Sequence, residues 1–337
     1  MTIYKNISGT WTQMSDIYAN NGSWQLCKSV WRNVSGTWQC IHVGSRGIFF
    51  GGRISARTDV IEYIALATTG NASSFGVLAD AYENLTSCAS STRGIHAGGS
   101  TTVYSLTVIG YITIATTGNA SDFGSLTVGK SICGGCSSST RGLVSSGMNS
   151  SYAVTNSIDY ITIATTGNAT NFGNDTVSRN YVVSFSSPTR GILAAGYLNT
   201  NNYYNIDYVT IATTGNAASF GNLIAVRSNT AGCSTAIRGI IGGGFQVNAY
   251  SSIEYITIAT TGNATNFGNL SATRVGLYAC SSTTLGVFAG GFEPVSQLRV
   301  NTIEYVTIAS TGNVSDFGDL TALKKDGASC SNVHGGL

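Results

Sequence analysis

The chain has 337 residues, of which only 9% are charged, with 42 glycines, 2 prolines and a net charge of +2. So even a balance gives no bulk electrostatic case for nucleic acid or an anionic membrane as partner, and with no run of 18 apolar residues no transmembrane span is expected. Thr, Ser, Ile, Tyr, Gly and Asn dominate while helix formers are scarce, which points to an all-β chain of strands and tight turns.

Residues 1–44 differ from everything after them. All four tryptophans lie here, Trp11, Trp24, Trp31 and Trp38, within three short copies: IYKNISGTWTQMSD, IYANNGSWQLCKS and VWRNVSGTWQCIH. Each reads as strand, Gly-centred turn, Trp, strand, and so as a β-hairpin. Forty-odd residues make a thin core on their own, so this module is expected to dock on the rest of the chain or on a partner. The opening MTIYKNISGTW lacks the charged start and apolar stretch of a signal peptide, which predicts folding in a cytoplasm.

From residue 45 to 337 the chain is repetitive. One phrase recurs six times: IEYIALATTGNASSFG (61–76), IGYITIATTGNASDFG (109–124), IDYITIATTGNATNFG (158–173), IDYVTIATTGNAASFG (206–221), IEYITIATTGNATNFG (253–268) and IEYVTIASTGNVSDFG (303–318). The spacings are 48, 49, 48, 47 and 50 residues. A second phrase alternates with it, starting with Arg-Gly at 46, 93, 141, 190 and 238 and with Leu-Gly at 285, and closing on glycines. Each unit then supplies four strand-length segments: the Arg-Gly phrase, the I-x-Y-I-T-I-A phrase, the N-A-x-x-F-G phrase, and a small-residue segment such as TAGCSTA (230–236). A Thr-Gly-Asn turn is expected to join the second and third through a tight antiparallel connection with φ > 0. Four antiparallel strands per unit predict a six-bladed β-propeller. The second strand is apolar on both faces, as expected between neighbouring blades. The first unit lacks a small-residue strand, so SCSNV (329–333) is predicted to pair with 46–52 and close the ring.

The repeats resemble kelch-type propellers, with a double Gly after one strand, a Tyr in the next and an aromatic closing the third. Phe75, Phe123, Phe172, Phe220, Phe267 and Phe317 stand where kelch repeats usually carry Trp. The Gly-Thr-Trp hairpins resemble short modules of bacteriophage tail and fibre proteins, and the I-x-Y-I-T-I-A-T-T-G-N-A phrase resembles repeats in phage virion structural proteins. The resemblance implies a virion component of tail, baseplate or fibre type, assembled in the host cytoplasm. It also implies contact with other virion proteins through residues 1–44, a host-surface glycan or protein as a further partner, and multiple copies in a symmetric assembly.

The residues offer little chemistry. Cys88, Cys136 and Cys233 lie five before an Arg-Gly arginine, Cys280 five before Leu285, and Cys330 four before His334. Equivalent positions on stacked sheets sit roughly 10 Å apart, too far for a disulfide, so these thiols are expected to be free and buried. Cys133 and Cys136 form a C-G-G-C with no second pair at zinc spacing. Cys27 and Cys40 are candidates for a pair within the N-terminal module. His42, His96 and His334 are the three histidines, and none neighbours a nucleophile and an acid in sequence. No catalytic residue, metal or cofactor is assigned. Lys130, Arg179, Arg227, Arg274 and Lys324, with Tyr82 in the first unit, follow the Phe-Gly glycine by six. They read as frame residues ahead of a cationic ring for an anionic glycan, as do the Arg-Gly arginines. Asn-x-Ser/Thr sequons such as Asn71, Asn119, Asn168 and Asn263 fall in the repeated turn and read as turn chemistry.

Function is expected where the copies differ. The loops after the Gly-Gly strands vary in length and carry Arg53, Arg57, Tyr104, Tyr152, Tyr203, Tyr204, Tyr250, Glu293 and Arg299, all predicted to emerge on one face. The candidate contact residues are Trp11, Trp24, Trp31, Trp38, Tyr104, Tyr152, Tyr203, Tyr204, Tyr250 and Arg299. Two alternatives compete with a non-enzymatic virion protein. A glycan-binding or glycan-cleaving protein would, if it cleaves, need two carboxylates about 5–10 Å apart. An intracellular kelch-like adaptor would call for a separate partner domain.

Overall fold

The computed structural model describes residues 4–7, 10–13, 18–20, 24–26, 29–34, 37–199 and 201–337, with side chains for 44–199 and 201–337. The described residues form strands and turns without a helix, and so no helix long and apolar enough to cross a membrane. Three hairpins occupy the N-terminal segment: Tyr4–Ile7 with Thr10–Gln13, Tyr18–Asn20 with Trp24–Leu26, and Ser29–Val34 with Thr37–Val43. The side chains of the four tryptophans and the proposed Cys27–Cys40 pair lie outside the described residues.

The repeats build a propeller-like ring of antiparallel sheets. Within a sheet the order is the small-residue strand, the Arg-Gly strand, the I-x-Y strand and the Phe-Gly strand, as in Gly134–Ser137, Arg141–Ser145, Ser157–Thr162 and Thr170–Asn174. Six small-residue segments stand closest to the axis, each against the next: the end of Ser73–Ala89, Gly134–Ser137, Val183–Ser186, Ala231–Ser234, Tyr278–Ser281 and Ala328–Ser331. The chain closes as expected. Ala328–Ser331 pairs with Gly47–Phe50, so the last strand completes the first sheet.

The sheets do not divide as the repeat count predicts. Four are four-stranded, but the first two units share one seven-stranded sheet. The reason is the strand Ser73–Ala89. Its first part pairs with Thr58–Ala65 and its last part with Arg93–Ser100, without a break between. In the third unit the corresponding strand stops at Asn174, and Asp175 turns in to meet Arg179; in the first unit the strand continues unbroken through Leu78 and Tyr82, both buried in the core.

The Thr-Gly-Asn segment also departs from expectation. The turn falls earlier, on Ile-Ala, with Thr116 N donating to Thr113 O and Thr165 N to Thr162 O. The Gly-Asn-Ala stretch then runs extended along the outer strand of the preceding unit. Gly118 N donates to Phe75 O, Ala120 N to Val77 O, and Val77 N to Asn119 Oδ1. The same three bonds recur at every junction, through Asn168, Asn216, Asn263, Asn313 and, from the last unit to the first, Asn71. The outer edge, which would otherwise expose a row of unpaired amides, is thereby covered. This explains the Phe-Gly glycine, since a Cβ on Gly76 would run into the Gly118 carbonyl.

Candidate functional site

The repeated charges belong to the frame. Each basic residue after a Phe-Gly meets the I-x-Y carboxylate of the next unit in the dry interior: Lys130 with Asp159 at 3.5 Å, Arg179 with Asp207 at 2.6 Å, and Arg227, Arg274 and Lys324 with Glu254, Glu304 and Glu62. Burial pushes the Arg227, Arg274, Lys130 and Lys324 cations toward the neutral form, and the facing carboxylates counter it for Lys130, Arg227 and Lys324. At the remaining junction both charges are gone together. Tyr82 stands for the base, Gly110 for the acid, and the His96 ring fills the space a Gly110 side chain would take, 5.8 Å from Tyr82 and from Phe50. The Arg-Gly arginines are framework too. Each guanidinium lies over the I-x-Y tyrosine of its own sheet, at 4.2–4.6 Å from the ring centre. Each also donates to a carbonyl of the next unit, as Arg46 does to Ile114 O at 2.8 Å. Six cysteines are free and buried. The glycine after the repeated arginine, or after Leu285, makes room for five of them. A Cβ on Gly142 would stand 2.6 Å from Cys88 Sγ, and Gly191, Gly286, Gly47 and Gly94 likewise face Cys136, Cys233, Cys280 and Cys330. In the sixth such contact Phe185 presses on Gly239.

Two adjoining cavities lie along the axis, both lined by the six innermost strands. One end is closed by a serine ring. Ser137, Ser186, Ser234, Ser281 and Ser331 each donate Oγ to the carbonyl one unit back, at 2.5–2.8 Å. Ala89 holds the sixth place. His334 covers this end, its Nε2 2.9 Å from Ala89 O and 3.3 Å from Ser137 Oγ, while its Nδ1 accepts from Gly336 N. With Nε2 carrying the proton for Ala89 O and Ser137 Oγ spent on the same carbonyl, the pair is not set to activate a serine. Burial further holds His334 neutral.

The other mouth is built differently. Asn84, Ile132, Tyr181, Asn229, Gly276 and Asp326 occupy equivalent positions in the left-handed region, with φ from 54° to 64°. Asn and Gly accept this conformation readily, but a β-branched Ile and a Tyr do so only under constraint. Amide-to-carbonyl bonds of 2.7–3.2 Å link Tyr181 to Ile132, Ile132 to Asn84, Asn84 to Asp326, Asp326 to Gly276 and Gly276 to Asn229. This collar surrounds a cavity of about 130 Å³ whose wall includes Thr86, Ser184 and Thr230; the Ser184 and Thr230 hydroxyls have no partner. Tyr181 lies within electrostatic reach of Asp326, Tyr104, Glu83 and Tyr197, and Asp326 within reach of Lys325, Glu83 and Arg299. Glu83 accepts from Arg53 at 3.2 Å and forms an ion pair with Arg57 at 2.9 Å. Burial raises the Asp326 carboxyl above its usual range, against the pull of Lys325 at 2.8 Å.

The post-Gly-Gly loops emerge at this mouth, as Arg53 N bonding to Lys325 O shows. Among the described residues, eight of the eleven exposed large apolar side chains sit on these loops: Val103, Tyr104, Tyr152, Tyr204, Phe245, Val247, Val295 and Leu298. Of the sequence candidates, Tyr104 and Tyr152 come together, ring centres 5.0 Å apart. Tyr204 is exposed and Tyr203 half-buried. Tyr250 is diverted to the frame, lying under Arg227 at 4.7 Å with its hydroxyl on Gln246. Arg299 is half-buried near Asp326. Sequence reasoning passed over Glu83, Tyr181, Tyr197, Lys325 and Asp326. A signal was available for most of them: the two positions after each repeated base read Glu-Asn, Ser-Ile, Asn-Tyr, Ser-Asn, Val-Gly and Lys-Asp, changing chemistry at every copy. Compared with known protein families, the chain matches none, and no curated protein matches it.

Proposed function

We propose that the chain is a non-enzymatic virion structural protein of tail, baseplate or fibre type, displaying a six-bladed kelch-like propeller whose loop face makes contact with a protein or host surface. The observation that carries the contact surface is the gathering of exposed apolar side chains on the loops of one face. The count of six rests on the six innermost segments and the six Gly-Asn-Ala junctions. In this reading the seven-stranded sheet is two blades that share the strand Ser73–Ala89. The virion assignment rests on the resemblance of the two repeat phrases, with residues 1–44 docking onto other virion proteins and the propeller at 45–337 held outward, after assembly in the host cytoplasm. The carboxylates of the I-x-Y phrase are tied to buried cations, which favours display over glycan cleavage. Mass spectrometry and microscopy of purified particles test the assignment. The chain should be present in multiple symmetric copies with the loop face outward; its absence from the particle, or a loop face buried against other virion proteins, overturns the reading.

A further inference from the structure

The cations of this chain are distributed unevenly between frame and surface. Of 17 lysines and arginines, Lys5, Lys28 and Arg32 lie outside the described side chains. Five of the other 14 stack on I-x-Y tyrosines and five fill the buried pairs. The four that remain, Arg53, Arg57, Arg299 and Lys325, all stand at the loop-side mouth, on the first and last units. They face three carboxylates there, Glu83, Glu293 and Asp326, and burial favours the protonated form of Asp326. Arg299 makes no ion pair among the described residues, and its Nε is buried without a partner. Across the mouth, units two and three contribute the Tyr104–Tyr152 pair, and Tyr181 stands at the collar. Between the two halves lies the polar cavity, with Asn84 and Asn229 in its wall.

We propose that the loop-side mouth binds an acidic saccharide, one ligand segment lying across the axis. The C–H face of a sugar ring suits the electron-rich face of an exposed tyrosine, its carboxylate suits a guanidinium with no ion-pair partner, and its hydroxyls suit the Asn84 and Asn229 amides that line the cavity. An acidic peptide would use the cations but would leave the tyrosine rings without a matched partner. The proposal rests on the loop face being the contact surface.

Calorimetry with the full chain tests it, using oligogalacturonate and polysialic acid as acidic saccharides, dextran as a neutral one and polyglutamate as an acidic peptide. At least one acidic saccharide should bind, more weakly as salt rises, and should lose tenfold or more in affinity on Tyr152→Ala and again on Arg299→Gln. Both substitutions sit outside the buried core, and unchanged thermal unfolding confirms that the fold is intact. Equal binding of dextran or polyglutamate, indifference to Tyr152→Ala, or no binding of either acidic saccharide at about 1 mM overturns the proposal. If none binds while loop substitutions still abolish attachment of the particle, the display reading stands and the saccharide falls.

Discussion

Replacing Glu254 by Gln should destabilise the ring by about 3–5 kcal/mol, the usual cost of leaving a buried charge without its partner. The structure says why the loss is not relieved. Arg227 is 1% exposed, and its guanidinium stays fixed by Gly243 O at 3.1 Å, Ser252 O at 3.2 Å, Ser252 Oγ at 3.1 Å and the Tyr250 ring. These neutral groups hold it in place without balancing its charge, and an arginine cannot shed its proton. The opposite truncation, Arg227→Met, behaves differently. Glu254 then escapes by taking a proton, a form that burial already favours in the intact pair. Arg227→Met should therefore cost less at pH 5 than at pH 8, while Glu254→Gln, which removes the titrating group, should cost no less at pH 5 than at pH 8. The double substitution Arg227→Met, Glu254→Leu should fall within about 2 kcal/mol of the parent, because a well-packed apolar pair replaces an ion pair at little net cost. Tyr82 and Gly110 already form an uncharged junction in the same ring. Urea unfolding of the four proteins at the two pH values makes the comparison. A loss below 1 kcal/mol for Glu254→Gln, or an Arg227→Met cost that ignores pH, would refute the reasoning.

Four more outcomes follow from the interior. Burial lowers the His96 imidazole from 6.5 to about 4. The unfolded chain takes up that proton first, so this group's contribution to stability is lost as pH falls from 6.5 toward 4, by about 3 kcal/mol. His96→Leu should flatten that part of the urea-midpoint profile, and an unchanged slope sinks the claim. Asp207 moves the other way, from 3.8 to about 6, chiefly by burial and then by Asp175 competing for Arg179. Here the folded state binds the proton first, so stability is gained as pH falls through 6, and Asp175→Asn should reduce the gain. Burial pushes the thiols of Cys133, Cys136 and Cys233 up to about 12, so alkylation at pH 8 followed by peptide mass spectrometry should find them unlabelled until the chain is denatured. Finally, Gly142→Ala should cost about 1–3 kcal/mol by overpacking against Cys88. Adding Cys88→Ala should restore part of that; no rescue would show that the glycine serves something else.

Much of the frame could be read from the chain because it is written six times. Strand identity, the closing role of the last strand and the burial of the recurrent cysteines all follow from alignment of the copies. What could not be read are contacts that link one unit to another. The Arg-Gly glycine looks like strand punctuation until Cys88 is seen pressing on Gly142 from another sheet. The Asn of Thr-Gly-Asn looks like a turn residue, yet its Oδ1 receives the neighbouring unit's amide. The joint loss of base and acid at Tyr82 and Gly110 was visible in principle, but only to a reader who already paired each base with the following unit's carboxylate. The merging of two units into one sheet depends on whether a connector stays extended, which no local pattern reveals: Leu78 recurs as Leu223, Leu270 and Leu320 in units whose strands stop at Asn222, Asn269 and Asp319.

Internal repetition also constrains how many ligands the ring can hold. A position shared by all units would offer six equivalent sites, and every such charged position is consumed between neighbours. The groups left at the mouth are not equivalent. Cations come from the first and last units, the stacked tyrosines from the second and third, and the collar side chains from all six. A ligand that uses both the rings and the cations must cross the axis, and once one segment lies there no second can share the 130 Å³ cavity. Binding at this mouth should therefore saturate at one ligand segment per chain. A stoichiometry near six would place recognition on the repeated outer surface, where the copies agree, and would remove the mouth from consideration.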